Sequence, residues 1–374
     1  MRVICTVTAT LIAYSASAHH SAAPHFDMSQ KLVLDGVVTD FRFVNPHGYF
    51  YFDVTSESGE VSNWRCELAG ATGLKRRGWT VETLVPGQRI TVNGAPARRE
   101  DNLCFTTSFI LEDGTEISRM TNLPESTATA EAAVPAGAVD RPAYLDNGQP
   151  NLSGPWVSQG RGGGMGPGGP QGMGPGGVPG TAPAGGTGFL PGPAGFPAPT
   201  TAGRMAAANY EQPFDDPAIF CHPANIIFSW THDQHVNDIY QAEDTITLQY
   251  GYMDLVRTIH LHETEHPDSI VPNVAGYSIG SWEDDVLVVD TIGFEQGILF
   301  PLNDGLMHSA DMHIVERFRF DAETNSLRRE FIAHDPEFLQ SDYVGESVMV
   351  LTDEPYEPYN CTELSGENNR RPAG

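Results

Sequence analysis

The chain has 374 residues, of which 40% are hydrophobic, so it is long enough for two domains with a sizeable core. Its formal net charge is −27, from 21 Lys and Arg against 48 Asp and Glu. This charge disfavours nucleic acid and anionic membranes as partners, because both are polyanionic. After the N-terminal apolar run, no segment reaches the roughly 18–20 apolar residues that a membrane span needs, and we expect no membrane span.

The first 18 residues have the features of a secretory signal peptide. A basic residue, Arg2, precedes an apolar run from Val3 to Ala13, and the small residues at 16–18 form a cleavage site of the A-x-A type. We therefore expect cleavage after Ala18 and a periplasmic or secreted protein whose first residue is His19.

A mature chain that begins with His19 and His20 has a nitrogen-rich end. Its free α-amino group and two imidazoles are ligands that copper and zinc accept. His47, in a predicted turn, is the expected third ligand, and His25 is an alternative. The sequence therefore predicts a copper or zinc site formed by His19, His20 and His47, although Ser21 stands where the common amino-terminal copper motif has histidine. The competing interpretation is a polar chain end, with His47 packing its own turn.

The N-terminal domain, 19–122, is predicted to be a small β-barrel. Its strands are separated by turn sequences such as Asn45-Pro46-His47-Gly48. A helical stretch over Ala69–Leu84 falls between the third and fourth strands, and the order β-β-β-α-β-β is that of an OB-type barrel. The predicted strands are Leu32–Val44, Tyr49–Thr55, Val61–Glu67, Arg89–Ala95 and Cys104–Leu111.

Residues 123–209 are predicted to be a linker. Gly, Pro and Ala dominate the stretch 157–205, and such a composition cannot bury a core. One candidate strand lies within the linker near 151–157, where Gly154-Pro155-Trp156 has a Gly-x-Trp pattern. At the other end of the chain, the polar residues 363–374 are expected to form a flexible tail.

The C-terminal domain, 210–362, is predicted to be a mainly β domain, an antiparallel barrel or sandwich of lipocalin-like type. Short turn signals such as Glu283-Asp284-Asp285 separate about eight strands. A barrel of that size encloses either a packed core or one small ligand. The predicted strands are Asp238–Gln241, Thr245–Tyr250, Leu255–His262, Tyr277–Trp282, Val286–Thr291, His313–Phe320, Ser326–His334 and Ser347–Leu351.

Four cysteines remain after the expected cleavage, two in each half of the chain. In an oxidising compartment an even number of cysteines suggests disulfides, and sequence alone allows three connectivities. The simplest places one bridge in each domain, Cys66–Cys104 and Cys221–Cys361, while free buried thiols are the alternative.

Two parts of the chain resemble uncharacterised families of exported bacterial proteins. The N-terminal part shares with the first family an A-H-H-S start at Ala18–Ser21 and an N-P-H turn at Asn45–His47, and the similarity continues through Trp64, Gly78-Trp79 and Pro86-Gly87. This resemblance implies export and a domain of unknown function, and it implies no activity.

The C-terminal part resembles a second uncharacterised family, an exported β-domain. The shared motifs are G-x-W at Gly154–Trp156, W-E-x-D-x-L-V-V-D-T at Trp282–Thr291, H-S at His308-Ser309 and V-E-R-F at Val315–Phe318. The chain has Asp284 where that family has glycine. This resemblance supports the domain layout and export, and again it implies no chemistry.

Six residues of the C-terminal domain are candidates for a catalytic site. Alternate residues of a strand share a face, so Arg257 and Glu316 form a buried ion pair or a polar ligand clamp if both point inward. A carboxylate in such a pocket, paired with His308, suits general acid–base chemistry. The competing interpretation is an ion-pair network that stabilises the barrel. The candidate set is Arg257, His260, His266, His308, Glu316 and Asp335.

Histidines and short motifs in this domain suggest other chemistries. The string H-E-T-E-H at 262–266 matches a zinc-protease motif by letter, but Pro267 disfavours the helix that this motif needs. The string G-x-S-x-G at 276–280 lacks the following helix of a hydrolase elbow. A second zinc or copper site is conceivable among His260, His262, His266, His308 and His313.

Three functions are open at this point. The first is an exported protein that binds a small ligand or a metal ion. The second is a periplasmic enzyme, a hydrolase, lyase or isomerase, with a His/Glu/Asp/Arg pocket in the C-terminal domain. The third is a cell-envelope interaction protein without a catalytic site.

Overall fold

The computed structural model describes residues 22, 24–124, 141–159, 190–191, 196–232, 235–301, 305–364 and 366–371. The predicted signal peptide, 1–18, and the predicted metal ligands His19 and His20 lie outside these residues. The described chain is mainly β-structure and forms a small N-terminal barrel and a larger C-terminal barrel. Within the described ranges, no helix is long and apolar enough to cross a membrane.

The N-terminal barrel is formed by strands that match the predicted segments closely. Its elements are β1 (Leu32–Arg42), β2 (Tyr49–Thr55), β3 (Val61–Glu67), α1 (Ala71–Arg76), β4 (Arg89–Pro96), β5 (Leu103–Leu111) and β6 (Glu116–Ser118).

Strand pairing closes this first sheet into a barrel. Antiparallel neighbours run in the order β3-β2-β1-β4-β5, and a parallel pairing of β3 with β5 joins the two ends. This order, with α1 between β3 and β4, confirms the predicted OB-like barrel. The core contains aromatic side chains, among them Phe50, Phe52, Trp79 and Phe109.

The helix α1 is shorter than the predicted stretch Ala69–Leu84. It ends at Arg76, because Gly78 adopts a positive φ of 80° and the amide of Trp79 turns back to the carbonyl of Leu74. Glycine at this position is a common helix stop, since it enters the left-handed region without a steric penalty.

The C-terminal barrel draws its elements from both sides of the glycine-rich stretch. Its helices are α2 (Thr201–Ala206), α3 (Gln212–Asp215) and α4 (Ile226–Thr231), with 3₁₀ turns at Pro217–Phe220 and Glu367–Asn369. Its strands are β7 (Gly154–Ser158), β8 (Leu190–Pro191), β9 (Asn237–Gln241), β10 (Thr245–Gln249), β11 (Val256–His260), β12 (Tyr277–Glu283), β13 (Val286–Ile292), β14 (Gly297–Phe300), β15 (Leu306–His308), β16 (His313–Asp321), β17 (Ser326–His334) and β18 (Tyr343–Leu351).

Among the described residues, nine of these strands close a barrel. The order is β17-β16-β13-β12-β11-β10-β9-β7-β18, and β18 pairs with β17 to complete the circle. The strand β8 adds to β18, while β14 and β15 form a separate two-stranded sheet. One of the nine strands, β7, corresponds to the candidate strand predicted near 151–157. This part of the predicted linker therefore belongs to the barrel.

One pair of neighbours departs from the predicted antiparallel arrangement. Strands β11 and β12 are parallel, with Ile259 opposite Ser278. Parallel neighbours need a long connection, and the segment 261–276 provides it by returning the chain to the same end of the barrel. Among the described strands the C-terminal barrel is therefore antiparallel except at this pair.

The helix α4 packs against the core of the C-terminal barrel. All six of its residues are buried, and the side chain of Asn225 caps its first turn by accepting from the amides of Ile227 (2.8 Å) and Phe228 (2.9 Å). Ile226, Ile227 and Trp230 belong to the same core cluster as inward side chains of the strands. This region of the barrel is thus a packed core, one of the two predicted options.

The cysteines form the simplest of the predicted pairings, Cys66–Cys104 in the first barrel and Cys221–Cys361 in the second. The predicted flexible tail, 363–374, is described in part and includes the 3₁₀ turn Glu367–Asn369. Within its described part, Asn368 and Asn369 are 0% and 3% exposed, because the tail packs against the first barrel.

Candidate functional site

His47 lies in the turn between β1 and β2, beside a buried carboxylate. Its Nδ1 contacts Oε1 of Glu67 at 2.6 Å, and the hydroxyl of Tyr49 donates to Oε2 of the same carboxylate at 3.1 Å. Strand register creates this group, because Tyr49 stands directly opposite Glu67 in the pairing of β2 with β3. The sequence predicted His47 as a ligand but did not predict Glu67 as its partner.

The contact with Glu67 determines which nitrogen of His47 is available. In the neutral imidazole, donation of Nδ1–H to the carboxylate leaves the lone pair on Nε2, and Nε2 has no hydrogen-bond partner among the described residues. The His47 side chain is 38% exposed, whereas that of Glu67 is 6% exposed. Histidines that bind metals are commonly oriented by a carboxylate in this way.

The charges around His47 influence its protonation. Burial would lower the pKa of His47, but the neighbouring Glu67 carboxylate raises that pKa above its ordinary value. Burial would likewise raise the pKa of Glu67, but His47 and Tyr49 hold it below its ordinary value. The two side chains therefore form a strong pair in which Glu67 stays ionised.

Elements of both barrels surround this pair. Nδ1 of His25 lies 2.7 Å from the carbonyl oxygen of Asn368 in the C-terminal tail. Burial raises the pKa of Asp216, next to the 3₁₀ turn Pro217–Phe220, to about 6, and Asp216 is close enough to interact electrostatically with His47. Ala22 and Tyr49 pack against one apolar cluster, so the described beginning of the chain runs close to the His47 turn.

The described residues alone do not complete a metal site. Within them, no group of three or more His, Cys, Asp or Glu side chains is arranged to hold a metal ion. Of the three predicted ligands the structure describes His47, while His19 and His20 lie outside the described residues. The predicted metal site remains a prediction.

Two of the predicted catalytic residues lie inside the C-terminal barrel. Arg257 and Glu316 are 2% and 0% exposed, and Nη2 of Arg257 donates to Oε2 of Glu316. Arg329, which sequence reasoning missed, donates from Nε to Oε1 of Glu316 at 2.6 Å. Burial would raise the pKa of Glu316, but the two guanidinium groups hold it below its ordinary value.

These three side chains belong to a polar belt on the inner face of the barrel. Six consecutive strands of the sheet, β11, β12, β13, β16, β17 and β18, each contribute one buried polar side chain. Nε of Arg257 donates to the hydroxyl of Ser278 (2.8 Å), and its Nη2 donates to that of Thr291 (2.7 Å). The members of the belt are Arg257, Ser278, Thr291, Glu316, Arg329 and Ser347.

Two other predicted catalytic residues lie on the outside of the barrel, His260 at the end of β11 and His266 in the irregular segment that follows it. The ring of His260 stacks on Tyr277 with the centroids 4.8 Å apart. Nε2 of His266 lies 2.6 Å from Oδ1 of Asp290, and Nε2 of His313 lies 2.7 Å from the other oxygen of that carboxylate. Alternation along the strands separates this outer group from the belt.

The last two candidates, His308 and Asp335, lie on either side of Ser309, a residue of the loop after β15. Nδ1 of His308, in β15, is 3.1 Å from the carbonyl oxygen of Ser309. Asp335 accepts from the amide (2.7 Å) and the hydroxyl (2.8 Å) of Ser309. Burial lowers the pKa of His308, so its imidazole is neutral at pH 7. The six candidates are thus divided among the belt, the outer face and this loop, and the geometry does not form one catalytic pocket.

The two catalytic motifs matched by letter lack their required geometry. The string 262–266 lies in the irregular segment after β11 and is not helical. The string 276–280 runs into β12, where an added Cβ at Gly280 would lie 2.6 Å from Cγ2 of Ile259. Close packing of strands explains that glycine without a nucleophile elbow.

The outer surface of the first barrel has an open groove. Its volume is about 340 Å³, and three carboxylates against one guanidinium give its wall a negative charge. Its lining includes Asp35, Asp53, Thr55, Arg89, Thr91 and Glu112.

Comparison with known proteins supports the resemblance of the N-terminal part to a known family. Residues 8–104 match a family of unknown function, DUF6152. This match confirms that the N-terminal part resembles an uncharacterised family, while the resemblance of the C-terminal part to a second family stays a prediction. No curated protein matches the chain.

Proposed function

We propose that this is an exported metal-binding protein whose N-terminal barrel binds one copper or zinc ion. The ligands are the amino group and imidazole of His19 and Nε2 of His47, with His20 as a further candidate. The 2.6 Å contact between Nδ1 of His47 and Glu67 carries the proposal, because it fixes the tautomer in which Nε2 can bind a metal.

Chain geometry supports the participation of His19. Ala22 packs against the same apolar cluster as Tyr49, two residues from His47. A chain advances at most about 3.6 Å per residue, so the three steps from 22 back to 19 can span about 11 Å. The proposed site requires that this stretch bring an amino terminus at His19 to the His47 turn.

Charge supports a cation at this place. Glu67 and Asp216 are buried carboxylates near His47, and Asp216 has one described donor, the amide of Ala218 at 3.0 Å. A metal ion would offset the cost of keeping a carboxylate charged in a buried position.

The test compares processed protein, purified from a host that exports it, with three variants. We expect about one copper per chain by elemental analysis and a Cu(II) affinity, measured by calorimetry, that falls at least tenfold in His47→Ala. The matched control is His334→Ala, because His334 is an exposed histidine paired with exposed Asp342 at 2.7 Å. Glu67→Gln should weaken binding by about 10- to 100-fold, the usual effect of losing such a partner.

Two results would contradict the proposal. One is the absence of stoichiometric copper or zinc from correctly processed wild-type protein after incubation with either metal. The other is an unchanged affinity in a folded His47→Ala variant. A protein with extra residues before His19 provides a further control, because it lacks the amino-group ligand.

A further inference from the structure

The interior of the C-terminal barrel contains hydrogen-bond donors that lack an acceptor. Nη1 of Arg257, Nε1 of Trp230 and Oη of Tyr250 have no hydrogen-bond partner among the described residues. The three residues are 2%, 1% and 0% exposed, so bulk water does not reach them. Buried donors in native proteins are nearly always paired, and a partner is therefore expected here.

These donors lie in one region, where α4 meets β10 and β11. The ring centroids of Trp230 and Tyr250 are 5.4 Å apart, in an edge-to-face arrangement. The guanidinium of Arg329 lies 5.8 Å from the ring of Trp230. The side chain of Tyr250 is close enough to that of Arg257 to interact with it electrostatically.

The same region carries an excess of positive charge. Arg257 and Arg329 share the carboxylate of Glu316, and no other carboxylate among the described residues forms an ion pair with either of them. Burial raises the pKa of Tyr250, so its hydroxyl stays protonated and supplies no negative charge. An uncompensated buried charge is costly, and an anion would remove that cost.

We propose that the C-terminal barrel binds one small inorganic anion of the chloride type, held by Nη1 of Arg257, Nε1 of Trp230 and Oη of Tyr250. All three groups donate, so the site does not suit a cation. A water molecule could pair with the donors but would leave the excess charge in place. The apolar side chains of Ile226 and Ile227 on α4 belong to the surrounding core, which favours a monatomic ion over a larger one.

The first test measures stability against halide at constant ionic strength. Protein refolded without halide is melted in sodium gluconate in which bromide replaces gluconate from 1 to 100 mM. We expect the melting temperature to rise by several degrees and to saturate, as for a ligand that binds the folded state alone. Tyr250→Phe should weaken the apparent bromide affinity at least tenfold. Tyr277→Phe, on the outer face of the barrel, should leave it unchanged.

The second test locates the ion. Crystals of protein refolded in bromide should give an anomalous difference peak within hydrogen-bonding distance of Trp230 and Arg257. Density at this position without anomalous signal, together with a melting temperature independent of halide, would identify a water molecule and overturn the proposal. The result does not depend on the metal site of the first barrel, because neither Tyr250 nor Tyr277 contacts His47.

Discussion

Glu316 is the residue on which the polar belt depends. Each of its two oxygens accepts from a different guanidinium, one from Arg257 in β11 and one from Arg329 in β17. A buried carboxylate is tolerated only when paired, and this one links three strands of the barrel. The competing interpretation of Arg257 and Glu316, an ion-pair network that stabilises the barrel, therefore accounts for their geometry better than a catalytic role does.

The sequence left the inward position of Arg257 and Glu316 as a condition for their pairing. In the structure Arg257 alternates with exposed neighbours in β11 and points inward. Arg329 was missed, although it shares a strand face with the apolar residues Leu327, Phe331 and Ala333. Glu67 could not be predicted as the partner of His47, because their contact depends on the register between two strands.

A buried acid near His47 gives a pH-dependent prediction. Burial raises the pKa of Asp216 to about 6, from an ordinary value of 3.8. Between these values the folded state holds more protons than the unfolded state, so the Asp216 contribution to stability falls as pH rises through this range. At pH 7 the ionised carboxylate costs up to about 3 kcal/mol.

Asp216→Asn should therefore stabilise metal-free protein at pH 7 and change its stability little at pH 4. Asparagine can still cap the 3₁₀ turn by accepting from the amide of Ala218. Denaturant unfolding at both pH values, with a chelator present, measures the difference. Asp113→Asn is the control, because Asp113 is exposed and hydrogen bonds from Thr115 lower its pKa. A variant less stable than wild type at pH 7 would contradict the prediction.

At the scale of elements, most strands and the position of α1 were predictable, whereas the helices of the second barrel were not. The bounds of β2, β3 and β17 match the predicted segments, because each is a clear alternation between turn sequences. The helix α4 was missed, because all six of its residues are buried and it therefore has no amphipathic period. The short strands β14 and β15 also lack a period long enough to detect.

The closure of the first barrel depends on the pairing of β3 with β5. Cys66 stands directly opposite Cys104 in this parallel pair, and the disulfide joins them. A bridge across 38 residues of sequence stabilises a fold by about 4 kcal/mol in the chain-entropy estimate.

The double variant Cys66→Ala, Cys104→Ala should lose about that much stability in the first barrel. Hydrogen exchange should become faster in β3 and β5 and stay unchanged in the belt strands of the second barrel. The double variant Cys221→Ala, Cys361→Ala is the matched comparison, because its bridge lies outside the first barrel. Equal protection of β3 and β5 with and without the first bridge would refute the argument.

At the scale of the whole molecule, the N-P-H turn joins the two barrels. Nδ2 of Asn45 donates to the carbonyl oxygen of Tyr359 at 2.7 Å, and the amide of Thr362 donates to the carbonyl oxygen of Asn45, also at 2.7 Å. The disulfide at Cys361 holds this part of the tail to the second barrel. The sequence could not predict this contact, because Asn45 and Tyr359 are 314 residues apart.

Asn45→Ala should loosen the tail from the first barrel. Asn45 is 4% exposed, and its replacement by alanine removes the hydrogen bonds to the carbonyl oxygen of Tyr359 and from the amide of Thr72, which costs about 1–3 kcal/mol. Hydrogen–deuterium exchange of the segment 359–364 should become faster. Asn63→Ala provides the control, because Asn63 donates to the exposed side chain of Asp53 at 3.0 Å and lies away from the tail. If exchange in 359–364 is the same in both variants, the tail is held by its other contacts, such as that between Lys75 and Glu357 at 2.6 Å, and the turn does not control the docking of the barrels.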